Sequence, residues 1–381
     1  MNEKKTGKSF TQWIRHFFHI AVRSVWFWLV MLLPLGGILY LCAEKIPGFA
    51  DLYCGGVYRF ISLLWNNLSG ILPFSLGEII VVLVVPSLLA YIIFVFVCVI
   101  RAKKKRLRAF FKGVLRLFAV VSLTLFLFVT NCGINYYCTD AAQKIGLDVH
   151  PTSKEELYEV CVYLADSASY YRSRIPENSE GVCEIDISSL YSKSAEASNS
   201  LSEKYDNIPG GYSSPKGVML SRGMSYLNIT GVYFPFTFEA NVNTDVPSFS
   251  VPFTMCHELA HVRGIMHEED ANFISYLSCI ESDDDIMNYS GNIMAMMYAS
   301  NKLYSADKEL YREFFTHISK GVYNDLEYYS DYWKEFETPV AEAASNINDK
   351  YLKSNSQKSG VKSYGKMVDL VIAHYYARLK H

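Results

Sequence analysis

The chain opens with long apolar runs and turns amphipathic after its first third. Twenty uncharged residues lie between Arg23 and Glu44, twenty-two between Glu78 and Arg101, and twenty-three between Arg116 and Asp140. A helix needs about 20 apolar residues to cross a bilayer, which predicts transmembrane helices at about 24–43, 79–100 and 117–139. The first run is too long for a removed signal peptide and lacks a small-residue cleavage site. Between the first two runs, YRFISLLWNNLSGILPFSLGE is amphipathic but too polar in its middle to cross. This predicts a segment at the outer interface, or dipping back into it, with Trp65 as an anchor.

Beyond residue 140 the periods are those of a water-exposed domain. Residues 151–175 read as a helix, with Thr152 or Ser153 as N-cap, Glu155 or Glu156 following, and Leu157, Val160, Val162 and Leu164 as the apolar stripe. EASNSLSEKYDNIPGGYSSPKG is turn-rich. In GVYFPFTFEANVN the residues Val232, Phe234, Phe236 and Phe238 alternate, which predicts a strand or a pair of short ones. Pro235 cannot donate to a ladder and suggests an edge position. From Phe253 the pattern is helical, broken at Gly264, near Tyr289-Ser290-Gly291, and in the linker KSNSQKSGVKS. The expected architecture is mostly α: a membrane domain over 1–139, then an α+β domain with a small sheet over 140–381.

Charge adds an orientation. Lys4, Lys5, Lys8, Arg15 and Arg23 precede the first run, and RAKKKRLRAFFK after the second carries seven basic residues and no acidic one. Basic loops stay cytoplasmic, which places the N-terminus and this loop inside and the 140–381 domain outside. A net charge of −2 gives no reason to expect a nucleic-acid partner. The nine cysteines form no CxxC pair. Cys161, Cys183, Cys256 and Cys279 fall in the outer domain, where a disulfide is possible but no pairing is legible. Cys256, beside His257, reads best as a packed core thiol.

The chemistry concentrates in TMCHELAHVRGIMHEEDANF. His257 and His261 are one helical turn apart, so both imidazoles leave one face and can reach one ion. Glu258, one residue along, is placed to take a proton from a water activated by that ion. Thr254 as N-cap, or Pro252 in the first turn, puts the pentad on a helix. An edge strand shortly before it offers a place for a peptide to pair by strand addition. Charged neighbours Arg263, His267, Glu268, Glu269 and Asp270 exclude a site within the hydrocarbon. Tyr289 and Tyr298 are candidate oxyanion donors.

The pentad is the signature of zincin metallopeptidases. The three spans with GVYFPFTFEANVN, PFTMCHELAHVRG, EEDANFISYLSC, YSG and GVKSYGKMVDL resemble the DUF3810 family of bacterial membrane proteins. The resemblance implies a zincin-like outer domain on a bacterial cytoplasmic membrane and brings no substrate with it. HELAHVRGIMH also fits the metzincin pattern, with His267 as third ligand. EEDAN is similar to the E-x-x-A-D of gluzincins, in which Glu268 binds zinc and Asn272 stands in the aspartate's place, steadying the carboxylate. Glu268 is the expected ligand, with His267, Glu269 and Asp270 as alternatives. The sequence therefore leads to a membrane-anchored zinc peptidase with a protein or peptide substrate. A second reading is a non-catalytic membrane protein whose zinc clips two helices together, or whose site is degenerate.

Overall fold

The computed structural model describes residues 24–354 and 364–380. Lys4, Lys5, Lys8, Arg15 and Arg23, and most of the linker KSNSQKSGVKS, lie outside the described residues. Helices α1 (Val25–Lys45), α2 (Arg59–Gly70), α3 (Leu76–Arg101) and α4 (Arg106–Asn131) occupy the first third. The chain divides into two units, one running to Pro47 and over Ile80–Ile134, the other made of Gly48–Ile79 and Asn135 onward.

In the first unit, α1, the body of α3, and α4 are long and apolar enough to cross a membrane. Only Gly77 is buried in all of α3, while Val81, Val85, Ile92, Ile93 and Phe96 are exposed. A surface this apolar is not tolerated in water, so the chain is membrane-associated. Small residues let the helices approach. Gly36 of α1 faces Phe126 of α4, and Gly113 of α4 lies against Val95 of α3. The Tyr91 hydroxyl donates to the Gly113 carbonyl at 2.8 Å.

The second unit reaches across the chain. Cys54 and Cys138 form a disulfide. The Thr139 N–H and hydroxyl both donate to Asp51. The structural boundary thus differs from a division at residue 139, because polar groups of Gly48–Ile79 find their partners far along the chain. Cys161, Cys183, Cys256 and Cys279 are unpaired and buried, and Cys256 packs with Cys279, Met287 and Ala197.

The core is helical. Helix α5 (Lys154–Arg172) begins with a reciprocal capping box between Ser153 and Glu156, and α6 (Leu190–Lys204) follows. Beyond the sheet come α7 (Val251–Val262), α8 (Glu268–Ile280), α9 (Asp285–Ala306), α10 (Lys320–Lys334) and α11 (Tyr364–Leu379). Helix α9 runs without the break expected at Tyr289-Ser290-Gly291. Ser290 Oγ accepts the Phe253 N–H, and Gly291 admits Cys279 against the helix. These small residues serve close packing, and the break falls earlier, at 281–284. Buried Asp325 accepts from Arg172 Nε, the Tyr289 hydroxyl and the Cys183 N–H, tying α5, α9 and α10 together.

The sheet has the order β1 (Lys216–Gly217), β3 (Glu239–Val242), β2 (Gly231–Phe234). Strand β1 is parallel to β3 and β2 is antiparallel to it, with Val232 opposite Asn241. Pro235 falls in the β2–β3 turn, where no ladder donor is needed, and Phe238 closes that turn at φ 55°. Buried Lys216 pairs with Glu239, which also accepts the Leu76 and Gly77 N–H groups. An acid at a helix N-terminus meets the positive end of its dipole.

Two measurements check this arrangement. Alkylation of the denatured, unreduced chain should tag seven of its nine cysteines, and all nine after reduction. Nine tags without reduction would remove the Cys54–Cys138 bond. His374 of α11 is buried against Phe273 and Tyr276 of α8. Burial, helped by Arg378 and Lys204 and opposed by Glu281, lowers its pKa to about 4. The unfolded chain therefore takes up the extra proton, so this contribution is complete above about pH 6.5 and is lost as the pH falls toward the folded value. His374→Phe should lose less stability than the parent between pH 8 and pH 5, by roughly 1–2 kcal/mol. Equal losses in denaturant titrations would exclude the effect.

Candidate metal centre

Helix α7 starts at Ser250 with Pro252 in its first turn, where a missing N–H costs nothing. Thr254, expected as a cap, lies inside the helix and returns its hydroxyl to the Ser250 carbonyl. The helix ends on Gly264, held at φ 87°. The Gly264 N–H bonds the His261 carbonyl and the Ile265 N–H bonds the Ala260 carbonyl, the Schellman pattern. A side chain at Gly264 would also come within 3.0 Å of the Tyr58 ring. The chain then reverses, His267 takes the N-cap position of α8, and Glu268 becomes its first residue.

This reversal brings His257, His261 and Glu268 together, with one ligand atom of each within 4.8 Å of the others. His257 Nε2 lies 3.0 Å from His261 Nε2 and 3.2 Å from Glu268 Oε2, and His261 Nε2 lies 3.7 Å from Glu268 Oε1. A tetrahedral ion with nitrogen and oxygen ligands at about 2.0–2.1 Å has ligand separations of about 3.3 Å. The observed edges bracket that value, so the three residues fit a divalent ion. His261 Nδ1 is fixed by the Ile265 carbonyl at 2.7 Å, which leaves Nε2 aimed at the cluster.

Electrostatics favours a cation in the same place. Burial raises the Glu268 carboxyl, but the hydrogen bond from His257 and the charges of both histidines overcome this and hold it at about 2. Burial lowers His257, yet Glu268 outweighs it and raises the imidazole. Burial and the neighbouring His257 lower His261 to about 4. The mutual pull of Glu268 and the two imidazoles marks this as a place where positive charge is favoured.

The alternatives to Glu268 point elsewhere. His267 Nε2 meets the Tyr136 carbonyl at 3.0 Å and its ring stands edge-on to Tyr136. Glu269 pairs with Lys366 at 3.2 Å, and Asp270 accepts the Ala141 N–H. Asn272, expected beside Glu268, lines the same cavity, and its side chain bears on His257. Glu258 is buried against β2. A Cβ on Gly231 would come within 2.7 Å of Glu258 Cγ, and the Tyr233 N–H reaches the carboxylate. Burial, reinforced by Glu268, pushes Glu258 up to about 8. Its Oε2 is buried without a donor, a costly state for a carboxylate.

A cavity of about 280 Å³ opens on His257 and Glu268, walled by Phe253, Met294, Tyr298, Tyr329 and Trp333. Tyr298 is thus at the site. Tyr289 is not, since its hydroxyl is committed to Asp325. Gly231, Ile265, Tyr329 and Trp333 were not singled out in sequence. Of these, only Gly231 carried a signal, as a glycine opening an alternating stretch.

A family model described as "Protein of unknown function (DUF3810)" matches residues 53–372. No curated protein and no solved structure matches the chain.

Metal content of the purified full chain after zinc loading should drop most in His257→Ala, His261→Ala and Glu268→Ala. Asn272→Ala should weaken binding on the order of 10–100-fold, and His267→Ala should leave it nearly unchanged. Zinc lost in His267→Ala but kept in Glu268→Ala would overturn the ligand set.

Proposed function

We propose that this chain, which belongs to the DUF3810 family, is a bacterial membrane-anchored zinc peptidase cleaving protein or peptide substrates outside the cytoplasmic membrane. One observation carries this reading. Beside the convergent His257, His261 and Glu268 lies a further buried acid, Glu258, which is not in that cluster and whose Oε2 lacks a donor. A structural clip closes with four protein ligands, whereas three converge here, and it gains nothing from a buried acid next to them.

His257, His261 and Glu268 would hold the ion, leaving a position open as in catalytic zinc sites. Bound zinc would supply Lewis acidity, polarising a substrate carbonyl and lowering the pKa of a water. Glu258 takes and returns the proton at its Oε2. Its raised proton affinity is near what a general base needs at neutral pH, and a neighbouring cation draws it down to the ionised form. Gly231 leaves the space Glu258 occupies. Strand β2 is a sheet edge beside α7 and offers main-chain groups to an extended peptide. The Tyr298 and Tyr329 phenols line the cavity, where one can donate to a developing oxyanion.

The placement has two supports. Three crossings would leave the segment after α1 and the chain after α4 on the same side, in keeping with the one unit those stretches form. The basic loop between α3 and α4 falls on the other side, as cytoplasmic loops do. The Cys54–Cys138 disulfide belongs to an oxidising compartment.

The zinc-loaded full chain, in vesicles, should cleave members of a peptide pool read by mass spectrometry. Glu258→Gln should keep its zinc and lose about 10²–10⁴-fold in rate. A Glu258→Gln chain that cleaves like the parent, or a zinc-loaded parent that cleaves nothing, would end the peptidase reading.

A further inference from the structure

Helix α2 is amphipathic in the inverted sense. Its buried positions are Ser62, Asn66 and Ser69, preceded by Tyr58 one turn earlier. They recur at steps of three and four, so they form one face. Its outer face is apolar: Val57, Phe60, Leu64, Leu68 and Ile71 follow the same spacing, and all are exposed, Phe60 at 70% and Ile71 at 77%. Trp65 is exposed beside them at 54%. A helix on a water-bathed protein turns these faces the other way.

The inward polar face is fully engaged. Asn66 Nδ2 donates to the Phe238 carbonyl at 2.8 Å, and its Oδ1 accepts the Ser213 N–H at 2.8 Å. Ser62 meets the Tyr212 hydroxyl at 3.0 Å. Lys216 Nζ donates to the Ser69 carbonyl at 2.7 Å. The Tyr58 hydroxyl reaches the Val262 carbonyl at 3.0 Å and the His261 carbonyl at 3.3 Å, the end of the helix that carries both histidines. The orientation of α2 is therefore fixed by hydrogen bonds, and its apolar face cannot roll inward without breaking them.

Chain connectivity says what covers that face. Helix α1 ends at Lys45 and α3 begins at Leu76, both candidate membrane spans, so each end of the segment is tied within a few residues to hydrocarbon. Two further exposed apolar side chains, Met219 and Leu220, have their N–H groups on the Glu78 carboxylate in the first turn of α3. We propose that α2 lies in the plane of the bilayer, its Val57–Ile71 face among the lipid headgroups and upper acyl chains, and that through Tyr58 it fixes the metal-ligand helix to the membrane surface. Apolar area buried at an interface, with a tryptophan at headgroup depth, is what holds such helices down. Resting on the peptidase reading, this gives the substrate class as polypeptide exposed at the membrane surface rather than free in solution.

The test needs neither metal nor activity, so it can fail while the peptidase reading stands, and the reverse. In a full-length Cys42→Ser, Cys98→Ser background, nitroxide labels are placed singly at Leu64→Cys and Leu68→Cys, with Tyr323→Cys as an exposed control. The chain is reconstituted into phosphatidylethanolamine–phosphatidylglycerol vesicles. Collision with oxygen, which concentrates in lipid, should exceed collision with a water-soluble nickel chelate at 64 and 68, and the order should reverse at 323. Water-like accessibility at 64 and 68 would overturn the proposal. Labels shielded from both reagents would overturn it in favour of a protein covering the face. The lipid signature should persist in Asn66→Ala, with the chain still folded by circular dichroism, because the apolar face holds α2 at the interface and Tyr58, Ser62 and Ser69 keep its other face engaged; its loss there would overturn the placement.

Discussion

The left-handed turn at Gly264 is the constraint on which the geometry of the candidate metal site depends. Helix α7 alone can offer only the two imidazoles on its face. Its C-terminus closes in a Schellman pattern, and the residue that completes the pattern, Ile265, turns its carbonyl onto His261 Nδ1. One short turn thereby ends the helix, sets the histidine tautomer and sends the chain back so that Glu268 meets both rings. A side chain at 264 meets two obstacles at once, a backbone angle that costs non-glycine residues about a kcal/mol or more and the Tyr58 ring.

The same turn brings Glu268, and not His267, beside the two rings. A histidine ten residues after His257 is the metzincin spacing, but here α8 starts immediately after it. As N-cap, His267 has an extended backbone and faces Tyr136, while Glu268, on the helix proper, faces back toward α7. Spacing in sequence could not separate adjacent residues whose side chains leave on opposite sides. The start of α8 could.

Much of the rest was legible because it is local. The three apolar runs, the helix capped by Ser153, the pair of short strands in GVYFPFTFEANVN and the pentad on a helix each follow from nearby residues. What was not legible is long-range. Nothing near Cys54 announces Cys138, and nothing near Tyr58 announces the end of α7. Ser290-Gly291 looked like a helix break because small residues mark both breaks and tight contacts; only the packing against Phe253 and Cys279 distinguishes them. Glu258's environment, too, depends on a glycine in a strand that sequence shows only as a glycine.

The second unit is stitched from two stretches of chain with a pair of membrane-crossing candidates between them. On the ribosome, Tyr58 precedes its acceptor Val262 by 204 residues. At 5–20 residues per second that is roughly 10–40 seconds of waiting. A segment that buried an apolar face in the finished domain would spend the interval as an aggregation hazard. Helix α2 instead keeps hydroxyls and an amide for its late partner, groups that water satisfies meanwhile, and gives its greasy side to a phase already present when it emerges. The inverted amphipathicity is thus suited to biogenesis as well as to the finished protein: the early piece can be stored at the lipid surface until the last half of the chain arrives to claim it.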